Sequence, residues 1–197
     1  MDEGKGYRLS GRNMEEKIIK GFIDVNWKLC TGCRLCEQAC SLYHEGKIWP
    51  EASRIFILQF DPGPIEIPIL CHQCSDHPCI EACPVKPEKA ISINKKTGAV
   101  VIEQDKCLGI KCGRCAKACH HETAIRFHPE TNKAINCDLC DGLPECAWIC
   151  PSGALSFLPG QTFDGSHYAK RPEKIASDLA YQLFPANKLE TDKRRDV

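Results

Sequence analysis

The stretch Cys30-Thr-Gly-Cys-Arg-Leu-Cys-Glu-Gln-Ala-Cys40 places four cysteines within eleven residues, in the spacing C-x2-C-x2-C-x3-C. The two-residue gaps let the chain loop tightly, so Cys30, Cys33 and Cys36 can surround one metal cluster. Cys40 follows Cys36 by four positions, and a helix that starts there carries its thiol away from the first three. In runs of this spacing the fourth cysteine can bind a second cluster. One such run therefore predicts another elsewhere in the chain.

Three further runs of four cysteines follow. They are Cys71-x2-Cys74-x4-Cys79-x3-Cys83, Cys107-x4-Cys112-x2-Cys115-x3-Cys119 and Cys137-x2-Cys140-x5-Cys146-x3-Cys150. Proline follows the last cysteine of the second and fourth runs (Pro84 and Pro151), as in ferredoxins. The third run departs from that pattern. Its first gap holds Leu108-Gly-Ile-Lys111, and His120-His121 stand where proline is usual.

Short apolar segments alternate with the cysteine runs and predict strands. A strand is expected at Phe22–Val25, another at Arg54–Phe60 and a last one at Gly153–Phe157. Two hairpins are expected, one at 90–102 and one at 124–136, in matching places after the second and third runs. The Pro-rich segment Asp61–Pro68 should be extended or turning. A helix is expected at Lys174–Phe184, with Ile175, Leu179 and Leu183 on one face.

Composition limits the classes of protein to which the chain can belong. It has 197 residues, 16 of them cysteine, and a formal net charge of zero. The N-terminal residues include no apolar stretch, which predicts no secretory signal. No run of 18 apolar residues is present, so no membrane span is expected. We therefore expect a cytoplasmic protein, in which so many cysteines favour metal binding over disulfides.

The order of the runs resembles the four-cluster iron–sulfur subunits of the dimethyl sulfoxide reductase superfamily, in which runs one and four, and runs two and three, share clusters. The resemblance implies four 4Fe–4S clusters with these ligands: cluster one Cys30, Cys33, Cys36 and Cys150; cluster two Cys40, Cys137, Cys140 and Cys146; cluster three Cys71, Cys74, Cys79 and Cys119; cluster four Cys83, Cys107, Cys112 and Cys115. Because the third run departs from the family spacing, clusters three and four are expected to differ from the family in exposure or potential.

A closer resemblance covers roughly residues 22–157. The stretches Cys-Thr-Gly-Cys-Arg-Leu-Cys-Glu-Gln-Ala-Cys-Ser-Leu-Tyr-His-Glu-Gly, Thr-Gly-Ala-Val-Val, Ala-Ile-Asn-Cys-Asp-Leu-Cys and Cys-Pro-Ser-Gly-Ala-Leu resemble the small ferredoxin-like subunits of tungsten enzymes of the aldehyde:ferredoxin oxidoreductase family. That group includes tungsten benzoyl-CoA reductases. The resemblance implies a large catalytic partner that carries a tungsten (or molybdenum) pterin cofactor, and a soluble carrier such as ferredoxin.

The expected fold class is α+β, with two interleaved bacterial ferredoxin-like modules that each hold two 4Fe–4S clusters. Module A comprises 21–70 plus 133–157 and module B comprises 71–132; residues 1–20 and 158–197 are extensions. A cluster with four thiolate ligands passes single electrons but offers no open position to a substrate. Since the chain also lacks GxGxxG, P-loop and Gly-x-Ser-x-Gly motifs, it is expected to be a non-catalytic electron-transfer subunit.

Several alternatives stay open at this point. The chain could be a free-standing polyferredoxin, or a relay subunit of a hydrogenase or formate dehydrogenase, because these use similar clusters. Cysteine pairs of the C-x2-C type also occur in structural zinc sites, so a zinc-dependent interaction protein is the non-redox alternative. Because sixteen cysteines complete the ligand count, the histidines are expected to lie at the surface or at an interface rather than to bind metal. This group comprises His44, His72, His77, His120, His121 and His128.

Overall fold

A ladder of two antiparallel strands joins the two ends of the cysteine-bearing region in this computed structural model, which describes residues 20–60, 65–121, 123–161 and 171–183. Strand β1 (Gly21–Val25) pairs with strand β8 (Leu155–Pro159), from Gly21 opposite Pro159 to Val25 opposite Leu155. The predicted strand at 22–25 is confirmed. The predicted strand at 153–157 begins later because residues 150–153 form a turn closed by the Gly153 N–H and the Cys150 carbonyl.

The remaining elements are short. The other strands are β2 (Phe56–Phe60), β3 (Ile65–Ile69), β4 (Ile91–Ile93), β5 (Val100–Ile102), β6 (Arg126–Phe127) and β7 (Ala134–Ile135). The helices are α1 (Leu35–Glu45), α2 (Pro78–Ala82), α3 (Arg114–Ala118), α4 (Glu145–Ile149) and α5 (Pro172–Leu183). This mixture of helices and strands in a ferredoxin-like arrangement is the α+β class expected from the sequence.

Strands β2 to β7 pair as three antiparallel hairpins: β2 with β3, β4 with β5, and β6 with β7. The second and third are the hairpins predicted at 90–102 and 124–136. The first uses the Pro-rich segment, of which 61–64 lie outside the described residues while 65–69 form a strand. Pro68 lies opposite Ile57 and is tolerated because each sheet has only two strands, so an edge without an N–H is available.

The x3-C ending of each run has a repeated local structure. Helices α2, α3 and α4 each carry one cysteine, and the last cysteine of the run follows directly in extended conformation. Helix α1 differs because it is eleven residues long and carries both Cys36 and Cys40. Helix α1 packs against α4, and α2 packs against α3. The first run therefore adjoins the fourth, and the second run adjoins the third.

Helix α5 confirms the predicted helix at the C-terminal end, although Phe184 lies outside the described residues. Its buried side chains Ile175, Ala176 and Leu179 pack against β3. The expected extension of this face to Leu183 is wrong, since that side chain is 47% exposed. A four-residue spacing drifts by about 40° per step around a helix of 3.6 residues per turn, which carries Leu183 off the buried face.

Residues 1–19 of the expected N-terminal extension lie outside the described residues, as do 162–170 and 184–197 of the expected C-terminal extension. Among the helices that are described, none has the length and apolarity required to cross a bilayer.

Candidate metal centre

Four cysteines from the first and fourth runs line one cavity. Site 1 comprises Cys30, Cys33, Cys36 and Cys150, and these thiols border about 310 Å³ of space that is partly open to solvent. The loop before α1 folds around this space because two successive bends are left-handed, at Gly32 (φ +66°) and Arg34 (φ +59°). The positive φ at residue 32 favours glycine, and a Cβ atom there would lie 2.6 Å from Glu66 Cδ, so the Glu66 side chain would have to move.

The thiols of site 1 have opposite acid–base tendencies. Burial and the neighbouring Glu37 carboxylate raise the pKa of Cys36 to about 12. Burial also favours the neutral thiol of Cys150, but the Leu155 N–H, the Ser152 hydroxyl and the Ala154 N–H lower the pKa of this residue overall. A cationic group placed between the four sulfurs would favour all four as thiolates.

Four cysteines from the second and third runs line another cavity. Site 4 comprises Cys83, Cys107, Cys112 and Cys115, around about 330 Å³ that also borders Pro84, Leu108 and Gly109. The Cys107 sulfur accepts hydrogen bonds from the Gly109 N–H at 3.3 Å and the Ala134 N–H at 3.5 Å. Such backbone donors stabilise negative charge on sulfur.

The other cysteines of these two runs line a third cavity. Site 3 comprises Cys71, Cys74, Cys79 and Cys119, around about 360 Å³ of space. Four histidines line the same cavity, namely His72, His77, His120 and His121. His72 is buried, and its ring lies 4.5 Å from that of His121, centroid to centroid. The expectation that His72 lies at the surface or at an interface is therefore not met, since its side chain is buried within this chain.

The last four cysteines form a buried group. Site 2 comprises Cys40, Cys137, Cys140 and Cys146, all of them buried. Burial, followed by repulsion from Cys146 and Cys140, raises the pKa of Cys137. Burial and repulsion from Cys140 and Cys40 act in the same direction on the pKa of Cys146. The thiols of Cys137, Cys140 and Cys146 each have at least one other member of the group, Cys40 included, among the charges that act on them, which is expected of side chains that lie near one another.

Cys40 is the exception in site 2 because donors surround its sulfur. Burial alone would raise the pKa of Cys40, but hydrogen bonding and charge from His44, together with Ser53 and the Arg54 N–H at 3.2 Å, lower it. His44 in turn lies 3.4 Å from Asp138, Nε2 to Oδ1. Burial would lower the pKa of His44, yet hydrogen bonds to Asp138 and Cys40 raise it to about 9.

His44 is a residue that sequence reasoning missed. Its side chain is only 10% exposed, so the expected surface position is wrong. The spacing could have predicted the contact with Cys40, because His44 follows Cys40 by four residues on α1 and side chains at that spacing are neighbours on a helix. His44, Asp138 and Cys140 also place one ligand-type atom each within 4.8 Å of one another. Since Cys140 belongs to site 2, we assign His44 and Asp138 to the surroundings of that site.

The residues present fit 4Fe–4S clusters. The sixteen cysteines fall into four groups of four, and all are free thiols. The cysteines of sites 1, 3 and 4 each line a cavity that is partly open to solvent, and backbone N–H groups point at the sulfurs of Cys107 and Cys40. Four thiolates, a central space and N–H donors to sulfur are the features by which proteins hold such clusters.

Comparisons with known proteins agree with this chemistry. Residues 65–159 match the family of the 4Fe–4S dicluster domain. The aliphatic sulfonate oxidoreductase polyferredoxin-like subunit of Pyrococcus furiosus is 43% identical over 179 residues, which cover 86% of this chain and 96% of that protein. An uncharacterised ferredoxin of Methanocaldococcus jannaschii is 32% identical over 177 residues, 89% of each chain. A solved chain of the active site complex BamBC of benzoyl coenzyme A reductase covers 91% of this chain and 99% of its own length, with 22% identity and a TM-score of 0.43.

Proposed function

This chain belongs to the family of polyferredoxin-like iron–sulfur electron-transfer subunits, and from that premise we propose that it relays single electrons through four 4Fe–4S clusters between a soluble carrier and the pterin cofactor of a catalytic subunit. Its relatives are named as subunits or ferredoxins, so the chain is a non-catalytic part of an oxidoreductase. When bound, such clusters accept and release one electron each. The chain's own residues supply thiolates, exclude water and direct N–H groups at sulfur.

The proposed ligands are the four groups already defined. Site 1 would hold cluster one, site 2 cluster two, site 3 cluster three and site 4 cluster four. One observation carries the proposal: the described cavities of sites 1, 3 and 4 are each lined by four cysteines drawn from two different runs.

Each proposed module contains the two cysteine runs that share its sites. Module A, residues 21–70 plus 133–157, is supported by the β1–β8 ladder and by the packing of α1 against α4. Module B, residues 71–132, is supported by the packing of α2 against α3. Sites 1 and 2 then belong to module A, and sites 3 and 4 to module B.

The proposed partner is a large catalytic subunit with a tungsten (or molybdenum) pterin cofactor. The quoted stretches around the first and fourth runs resemble the small subunits of tungsten enzymes, and the Pyrococcus relative is named as a subunit of an aliphatic sulfonate oxidoreductase. Aldehydes, benzoyl-CoA and aliphatic sulfonates are the candidate substrates of that partner. We also propose a cytoplasmic location, since reducing compartments keep cluster thiols available.

Anaerobic purification of the tagged full chain from its native host tests the proposal. We expect a brown complex with about 16 iron and 16 sulfide per chain, four of each for every cluster. Mass spectrometry of the complex should identify a second, larger chain, and elemental analysis should find tungsten or molybdenum with it. A colourless protein that contains zinc would overturn the relay. A brown monomer with full iron content would favour a free-standing polyferredoxin, in keeping with the ferredoxin relative.

A further inference from the structure

The loop between Cys107 and Cys112 lies at the opening of site 4. Leu108 and Gly109 line this cavity, while the Leu108 side chain is 61% exposed and that of Ile110 54%. These two apolar side chains belong to the four-residue gap by which the third run departs from the usual spacing. An exposed apolar pair beside an opening is typical of a contact surface.

The exposure of these side chains is built into the backbone. The Ile110 N–H donates to the Asn132 carbonyl at 2.9 Å, and Lys133 Nζ donates to the Cys107 carbonyl at 2.5 Å. Gly109 has φ +75°, and a Cβ atom there would lie 2.7 Å from the Asn132 carbonyl oxygen. The β6–β7 turn thus holds the loop in one shape, with both apolar side chains directed outward.

Three cations follow this apolar pair in the chain. Lys111, Arg114 and Lys117 are exposed, at three-residue spacing, and form no ion pair with any residue that the structure describes. Asp105 is the only acidic residue between positions 105 and 117. Lys106 is engaged by Glu88 at 2.7 Å and Glu103 at 2.9 Å, so the remaining surface carries net positive charge.

The opening of site 1 differs because one cation lines its cavity. Its lining includes Thr31, Leu35 and Ser152, which carry no charge. Arg34 is the only cation among the described residues that line it, and its guanidinium pairs with Glu37 at 3.3 Å. Among the described residues, no charged one lines the cavity of site 4 itself, and the exposed cations lie on the adjoining residues 111–117 instead.

We propose that residues 105–117 form the docking surface for a small acidic one-electron carrier protein. This inference rests on the proposed relay function and adds the place where the carrier binds. Small apolar contacts with a charged rim suit transient electron-transfer encounters, which bury less than about 1,200 Å². In the exchange the reduced carrier loses one electron and this chain gains one, with no bond or proton transferred. A second copy of this chain would present the same cations and be repelled.

Stopped-flow mixing of the anaerobic, cluster-loaded complex with a reduced acidic two-cluster ferredoxin tests this surface. The variant K111E/R114E/K117E should lower the second-order rate constant by about tenfold or more at low salt and abolish its decline with ionic strength. Biolayer interferometry with oxidised ferredoxin should show the matching loss of affinity. Ile110→Ser should mainly accelerate dissociation, because it removes apolar contact rather than charge.

The matched control is K28E/K95E/K96E, which makes the same charge change at three exposed lysines outside residues 105–117. It should retain most of the wild-type rate and its salt dependence. Unchanged rates in K111E/R114E/K117E, or an equal loss in the control, would overturn the docking surface. A wild-type chain that takes no electrons from the carrier, or holds no iron, would overturn the relay function itself, so the two failures are distinguishable.

Discussion

Site 2 and site 4 each gather four cysteines from two runs, yet their surroundings are opposite. Every thiol of site 2 is buried, and donors from His44, Ser53 and Arg54 reach the sulfur of Cys40. Site 4 lies beside two five-residue helices and opens at the exposed Leu108. The difference arises from residues outside the cysteine pattern. His44, Ser53 and Arg54 cover the Cys40 sulfur of site 2, whereas the four-residue gap of the third run forms the exposed edge of site 4.

Replacing one cysteine in site 2 or in site 4 should have the largest effects on iron content and melting temperature. These effects should differ between the two sites. Cys112→Ser should lose about a quarter of the iron, from roughly 16 to roughly 12 atoms per chain, and stay folded. Cys40→Ser should lose more than a quarter and lower the melting temperature by about 10 °C or more, because it disrupts the buried interior of the protein. Iron assay and anaerobic calorimetry measure both. Equal losses of iron and of melting temperature in the two variants would contradict the difference between site 2 and site 4.

The four sites should lose iron at different rates when the protein is mixed with a strong iron chelator under mild oxidation. Sites 1, 3 and 4 border open cavities, whereas site 2 is enclosed. We expect about three quarters of the iron to leave before the last quarter, which belongs to site 2. Release is followed by the absorbance of the iron–chelator complex. In Cys40→Ser protein that still folds, the slow phase should be missing. A single phase in wild-type protein would rule out the enclosed site.

The buried Gln73 side chain links strand β5 to Cys137 of site 2. Its amide accepts a hydrogen bond from the Val100 N–H and donates one to the Cys137 carbonyl, both at 2.7 Å. Gln73→Leu should cost about 1–3 kcal/mol, since the buried Val100 N–H loses its partner. The matched control is Gln104→Leu, which removes a less buried bond to the Ala134 carbonyl and should cost about 0.5–1.5 kcal/mol. Denaturant unfolding under anaerobic conditions gives both values. A larger loss in the control would mean that the two halves are joined elsewhere.

His44→Phe should have the smallest effect on stability, and it addresses the environment of site 2 directly. Loss of a donor to the Cys40 sulfur removes stabilisation of the reduced, more negative cluster. The reduction potential of that cluster should therefore fall by something on the order of tens of millivolts. Potentiometric titration followed by electron paramagnetic resonance measures it. His44→Gln keeps a donor and should recover part of the shift. If the potential does not recover in His44→Gln, the shift in His44→Phe arises from altered packing rather than from the lost hydrogen bond.

The cysteine runs and the hairpins after runs two and three were predictable because both depend on local spacing. The position of the segment before β2 beside the first run was not, because Arg54 and Ser53 reach Cys40 only through tertiary contacts. His44 was missed although its spacing from Cys40 is local, since a count of sixteen cysteines already satisfied the clusters. The outward direction of Leu108 and Ile110 depends on a hydrogen bond to the Asn132 carbonyl, some twenty residues away in the chain. No sequence pattern predicts that contact.

The pairing of Gly21 with Pro159 has a consequence for biosynthesis. Strand β1 is among the first described segments to leave the ribosome, yet its partner is made more than a hundred residues later. Cys150, which faces the first run across site 1, arrives only shortly before that partner. Contacts between segments so distant in sequence form late. In the proposed relay, iron insertion at site 1 would therefore follow the synthesis of Cys150, and a truncated nascent chain would expose both an unpaired strand edge and free thiols.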